Sequence, residues 1–223
     1  MPSVSEIVDR RRFALVSAFV QEPTILVRTD GPARLALLGQ LEGSGLTGGE
    51  PQRLGKFNAE RIVLVKSRLD PDCNSSVWVA SGFKRYRGAY IRFLEKVYGM
   101  TATEDDLASY DIDHLLNRAR SPKDSTLIRI EAVPAQANQA WGRLFEKAAS
   151  DPRQNANRKG EARSMSYMIC AKLRGEPPPL GPDDRAGIDR LVTFFDRIGI
   201  TKAENTRQGI EAMLADAYKF RRK

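Results

Sequence analysis

Tyr110-Asp111-Ile112-Asp113-His114-Leu115-Leu116 decides how the rest of the chain is read. Tyr110, Ile112 and His114 alternate with Asp111 and Asp113, the period of two that a β-strand imposes, so His114 and Asp113 point to opposite faces unless the strand ends there. A bend at that end would bring both to one site. After the irregular basic stretch Asn117-Arg118-Ala119-Arg120-Ser121-Pro122-Lys123-Asp124-Ser125, the segment Thr126-Leu127-Ile128-Arg129-Ile130-Glu131-Ala132-Val133 reads as a second strand. Pro134, which has no amide hydrogen to donate, stops it and suits the first turn of a helix. Ala137, Asn138, Trp141, Leu144 and Phe145 then recur at helical spacing to about residue 149. The order is strand, loop, strand, helix, with an Asp-His pair closing the first strand and a carboxamide on the helix.

Upstream, Ile7, Phe13, Ala14, Val16 and Phe19 lie among charges after Ser3 and Ser5, which predicts a capped first helix over 5–19. Thr24-Ile25-Leu26-Val27 reads as a short strand, and 34–41 is apolar without a clear period. Four glycines and a proline make 42–51 a loop; its GxG pattern has no clear strand before it and helix after it, so it is not read as a phosphate cradle. Ile62-Val63-Leu64-Val65 and Val77-Trp78-Val79-Ala80 flank the turn-forming run 70–76 and predict a β-hairpin. Residues 84–98 suit an amphipathic helix with Tyr90, Phe93, Leu94 and Val97 inward and Gly99 at its end, and Thr103 with Asp106 makes a capping box.

Downstream, 151–159 is polar and basic, Gly175-Glu176-Pro177-Pro178-Pro179-Leu180-Gly181-Pro182 reads as a rigid connector, and helical spacing resumes at Ile188, Leu191, Val192, Phe195 and Ile198 and again at Ile210, Met213, Leu214 and Ala217. Helices and hairpins without regular alternation imply an α+β fold. Three segments follow: an N-terminal α+β region over 1–100, a core with its flanking helix over 101–174, and C-terminal helices over 183–223.

Composition limits the function classes. With 41% hydrophobic and 29% charged residues in 223, a folded core is expected. No run approaches the roughly 20 apolar residues that span a bilayer. The opening Met1-Pro2-Ser3-Val4-Ser5-Glu6 lacks the basic-then-apolar order of a signal peptide, so a cytoplasmic location is expected. Two cysteines, Cys73 and Cys170, are too few for a disulfide framework and lack CxxC spacing. A net charge of +8 favours a polyanionic partner. The single histidine, His114, excludes sites built from two or three histidines of one chain but is sufficient for a general base.

These residues together resemble the ββα-metal motif of HNH (His-Me finger) endonucleases. Asp113-His114 matches the family's D-H pair within D-I-D-H, Asn138 follows His114 by 24 positions, and Asn138-Gln139-Ala140-Trp141-Gly142 keeps the N-x-x-K-G spacing with Trp141 in place of lysine. The resemblance covers about 40 residues, 110–149. It implies a ββα-metal finger embedded in a mixed helical and β-hairpin domain, with Asp113 and Asn138 holding a divalent metal, Mg²⁺ or Mn²⁺, and His114 activating water to hydrolyse a phosphodiester of nucleic acid, with DNA the expected polymer. The chain departs from the family pattern after the histidine, where Leu116 and Asn117 replace a frequent proline, and at Arg129-Ile130, which replaces the loop-pinning Asn-Leu, leaving Asn117 as the candidate to steady the loop. The cysteine pairs that bind structural zinc in many members are missing.

Arg118, Arg120 and Lys123 would lie beside the scissile backbone; Lys84, Arg85 and Arg87 are further candidates for phosphate contacts, with a solvated helix face as the alternative. Two rival readings stand beside the nuclease. One is a non-catalytic nucleic-acid-binding or regulatory protein with an incidental D-H pair, and the other is an antibacterial nuclease toxin.

Overall fold

A computed structural model of the chain describes residues 2–21, 24–38, 44–118, 121, 126–150, 162–200 and 203–220. The strands are β1 (Leu26–Thr29), β2 (Gly49–Arg53), β3 (Ile62–Ser67), β4 (Ser76–Ala80), β5 (Tyr110–His114), β6 (Leu127–Pro134) and β7 (Arg163–Ser164). The helices are α1 (Val4–Gln21), α2 (Pro32–Leu38), α3 (Pro71–Asn74), α4 (Tyr86–Tyr98), α5 (Ala135–Trp141), α6 (Lys147–Ala149), α7 (Tyr167–Leu173), α8 (Arg185–Arg197) and α9 (Ala203–Tyr218). The fold is mixed α+β, with helices packed on an antiparallel sheet in the order β2-β3-β4-β6-β1-β7 and β5 joined to β6.

β6 is the hub of that sheet. Residues 127–130 pair with β4 on one edge, while on the other edge 127–128 pair with β1 and 130–134 pair with β5. Among the described residues β5 pairs with β6 alone, so its outer edge is left for something other than a strand.

Local chemistry explains the elements that hold this arrangement. α1 starts at a capping box in which the Glu6 amide donates to Ser3 Oγ (3.2 Å) and the Ser3 amide donates to Glu6 Oε2 (2.6 Å). The β3–β4 hairpin pairs Ile62 with Val79 and Leu64 with Val77, and Asp70 caps the short α3 between them through the Cys73 amide. α4 buries Tyr90, Phe93 and Leu94, and ends where Gly99 takes the left-handed conformation (φ 68°) that costs glycine no Cβ clash. Thr103 and Asp106 exchange capping hydrogen bonds ahead of the 3-10 turn Asp105–Leu107, which leads into β5.

Two sequence expectations are corrected. Residues 49–51, read as part of a glycine-rich loop, open β2, an edge strand that tolerates Pro51 because its amide need not enter a ladder. The helix read as continuous to about 149 breaks its α ladder at a π turn, Gly142–Glu146, where the Lys147 amide donates to Gly142 O. The apolar clusters run across the segments 1–100, 101–174 and 183–223. One apolar cluster contains Leu15 and Phe19 of α1, Trp141 of α5, Cys170 of α7, Phe195 of α8 and Leu214 of α9; a second joins Val8, Leu64 and Phe93 to Ile112 and Ile130. The connector 175–182 is tied to α5, with the Trp141 indole donating to Glu176 O at 2.7 Å.

Polar groups are also buried beneath the sheet. Arg11 donates through Nε and Nη2 to both oxygens of Glu131 (3.1 and 2.6 Å), both side chains are completely buried, and Tyr90 donates to the same carboxylate. This fork-to-fork pair ties α1 to β6. It also withdraws Arg11 from any contact with phosphate and commits the Glu131 carboxylate away from the Asp-His pair.

Candidate functional site

β5 supplies the site because a strand places every second side chain on one side. Asp111 and Asp113 therefore share a side, and Ile112 turns into the second apolar cluster. Along the free edge of β5 lies a cavity of about 430 Å³ lined by Asp111, Ile112, Asp113, Asn138 of α5, and Lys84, Tyr86 and Arg87 at the start of α4. β6 returns the chain antiparallel to β5 and Pro134 releases it into α5, so Asn138 meets Asp111 and Asp113 at one cavity.

Asp113 and Asn138 line the same cavity, and each is engaged there by a different partner. Asn138 Nδ2 donates to Asp111 Oδ2 at 3.1 Å. Asp113 Oδ2 instead accepts from Lys172 Nζ at 2.5 Å, and the same ammonium lies 2.5 Å from Glu146 Oε1. Glu146 is held from its other oxygen by Asn117 Nδ2 at 3.2 Å, which makes Asn117 the residue that ties the loop after β5 to the following helix.

His114 is placed differently. Its ring packs edge-on against Tyr86, centroids 4.7 Å apart, the residue is 7% exposed, and its Nε2 is buried with no hydrogen-bond partner among the described residues. It does not line the cavity, whereas Tyr86 both packs against the ring and lines the cavity. Burial, followed by the positive charges of Arg118 and Lys172, pushes the imidazole down to about 4, so it is neutral at physiological pH. Burial raises the Asp113 carboxyl above the usual carboxylate range, with Glu146 and Asp111 acting in the same direction and Lys172 opposing. Burial opposes the Lys172 charge, and the carboxylates of Asp113 and Glu146 overcome it and hold the ammonium protonated.

The candidate cations divide. Lys84 and Arg87 line the cavity; Arg87 also donates to Leu107 O (3.0 Å) and Tyr110 O (3.3 Å), so part of its guanidinium secures the entry to β5. Arg85 and Arg118 are exposed and outside the cavity wall. Arg120 and Lys123 lie outside the described residues, as does the basic stretch 151–159.

Asp111, Lys172 and Glu146 were not assigned from the sequence. Asp111 was legible, because period two puts it beside Asp113. Lys172 had a weaker signal, a charge within the otherwise apolar Tyr167-Met168-Ile169-Cys170-Ala171-Lys172-Leu173 that must find a partner when that helix is buried.

The class these observations define is an α+β protein with a polar cavity at the free edge of a central antiparallel sheet. No protein-family model, curated protein or solved structure matches the chain. Among the described residues no helix is long and apolar enough to cross a membrane.

Proposed function

We propose that the chain is an HNH-like, divalent-metal-dependent endonuclease that hydrolyses phosphodiester bonds of nucleic acid, DNA being the expected polymer, with β5, β6 and α5 as its ββα finger. The observation that carries this reading is the convergence of Asp111, Asp113 and Asn138 on one cavity that is also lined by Lys84, Tyr86 and Arg87. Two carboxylates and a carboxamide are hard oxygen donors, which suit Mg²⁺ or Mn²⁺. Among the described residues no three Asp, Glu, His or Cys side chains gather to hold an ion by themselves, so Asn138 and water would complete the shell, as Mg²⁺ with its retained waters allows. Asp113, Asp111 and Asn138 would hold the ion, which when bound would supply charge stabilisation at the phosphate and the departing oxygen.

The remaining work falls to the chain's own side chains. Lys84 and Arg87 would receive phosphate oxygens, and Tyr86 offers an aromatic face beside them. For His114 to act as the general base, the Tyr86 ring would have to move aside to admit water and the imidazole, which burial holds down to about 4, would have to regain basicity in the open site.

The sealed imidazole and the ammonium already paired with Asp113 favour a second reading, a nucleic-acid-binding protein without catalysis. Plasmid nicking with Mg²⁺ or Mn²⁺, against an EDTA control, separates the two. The nuclease reading expects metal-dependent nicking that His114→Ala lowers by about 10² to 10⁴, the usual cost of losing a general base, with DNA binding retained. Equal cutting by wild type and His114→Ala would overturn the role of His114. A wild-type protein that binds DNA or RNA and never cuts either would make the binding protein the better reading.

A further inference from the structure

Lys172 is completely buried, yet its ammonium lies 2.5 Å from each of two carboxylates, Asp113 on β5 and Glu146 at the end of the π turn. Desolvating an ammonium costs several kcal/mol, so such a side chain persists only where opposite charge compensates it. Here the compensation comes from the carboxylate that the proposed function assigns to a metal ion. Asp113 commits Oδ2 to Lys172 while remaining part of the cavity wall, and Glu146 is fixed in turn by Asn117.

Resting on that assignment of the cavity, we propose that Lys172 is a positioning residue that acts as an internal counterion. It holds Asp113 and Glu146 together in the metal-free protein and competes with a divalent cation for Asp113, so it sets the affinity of the site. An incoming ion meets a carboxylate whose charge is already shared and a fixed positive charge on its far side. Both effects weaken binding. Binding then requires the ammonium to shift its pairing toward Glu146, which has the geometry to keep it because Asn117 anchors the other oxygen.

Neutralising Lys172 has two opposite consequences that a merely structural lysine would not produce together. Without metal, Asp113 and Glu146 face each other across a buried gap with no cation between them, and the fold loses stability. With metal, the ion in the cavity no longer shares the Asp113 carboxylate with a fixed ammonium, and binding tightens.

The test is Mn²⁺ binding to the full chain, read from the loss of the free-ion electron paramagnetic resonance signal, together with thermal unfolding with and without Mn²⁺. Lys172→Met is expected to bind Mn²⁺ at least about tenfold more tightly than wild type, to unfold at lower temperature without metal, and to gain more from saturating Mn²⁺ than wild type does. Lys172→Arg, which keeps the charge, is expected to stay within about threefold of the wild-type affinity. Glu146→Gln, which leaves Lys172 to Asp113 alone, is expected to weaken Mn²⁺ binding and provides the answer if Lys172→Met does not fold. Asp113→Asn should abolish binding in every background and so locates it. If wild type binds Mn²⁺ through Asp113 but Lys172→Met binds no more tightly, or Glu146→Gln binds equally well, the counterion role is wrong while the metal site stands. If neither wild type nor any variant binds Mn²⁺, the metal site itself is wrong and the counterion role falls with it.

Discussion

His114 is the only imidazole in the chain, so its chemistry can be followed without assigning signals. Its ring is covered by Tyr86 and its Nε2 reaches neither solvent nor a partner among the described residues. Carbethoxylation by diethyl pyrocarbonate, followed by absorbance, is expected to be slow in the folded protein and to accelerate at least about tenfold in Tyr86→Ala; equal rates would show that another neighbour covers the ring. The same burial makes a statement about pH. The folded imidazole titrates near 4 and an unfolded one near 6.5, so between these values the unfolded state binds more protons and stability rises with pH. The contribution is present above about pH 6.5 and is lost as pH falls toward 4. Since carboxylates titrate in the same window, the readout is the difference between wild type and His114→Leu in denaturant midpoints at pH 7 and pH 4.5. Wild type is expected to lose about 2 kcal/mol more than the variant on acidification, a shift of one pKa unit being about 1.4 kcal/mol. An identical loss in both proteins would mean that the imidazole is not held neutral by burial.

Between elements, the Arg11–Glu131 pair joins α1 to the hub strand, with both side chains fully buried. Breaking one side of such a pair leaves an uncompensated buried charge and costs about 3–5 kcal/mol, whereas apolar replacement of both partners is often close to neutral. Glu131→Leu is therefore expected to lower stability by about that amount, and Arg11→Met/Glu131→Leu to recover most of it, in urea denaturation. A double variant as unstable as the single one would show that the hydrogen bonds of Arg11 to Pro71 O, Ser75 O and Tyr98 carry the joint instead. Elements of this kind differ in how far the sequence reveals them. β5 and α4 were legible from periods of two and of 3.6, and β6 and the β3–β4 hairpin from β-branched apolar runs bounded by chemical stops or turns, such as Pro134 and residues 70–76. Glu146 was not, because a helix advancing about 100° per residue carries it about 140° round from Trp141. The wider π turn keeps it on the inward side, and no residue pattern announces such a turn. Lys172 was illegible as a partner of Asp113 for a different reason. The 59 positions between them are crossed only by tertiary packing of α7 against the sheet.

Across the whole molecule, charge and core each make a claim. With a net charge of +8 and Lys84 and Arg87 on the cavity wall, DNA affinity is expected to fall steeply with salt. Lys84→Ala/Arg87→Ala/Arg118→Ala is expected to shallow the log-log slope by about 0.9 for each phosphate that is no longer neutralised; an unchanged slope would place the binding face elsewhere. The core argues against dividing the chain. Six large apolar side chains from the last two helices, Ile188, Leu191, Phe194, Phe195, Ile210 and Leu214, belong to the same cluster as Leu15, Trp141 and Ile169. Burying each such side chain is worth about 1.5–3 kcal/mol, so together they contribute on the order of the roughly 5–15 kcal/mol by which a typical domain is stable at all. Removing residues 183–223 would strip that surface from α1, α5 and α7, and α7 is the helix that presents Lys172 to Asp113. The truncated chain is therefore expected to lose cooperative thermal unfolding, to become sensitive to proteolysis throughout, and to lose Mn²⁺ binding. The comparison is circular-dichroism melting and limited proteolysis of the truncated and full chains. A truncated protein that melts in a single sharp transition and binds Mn²⁺ as the full chain does would show that the C-terminal helices are an appendage instead of part of the core.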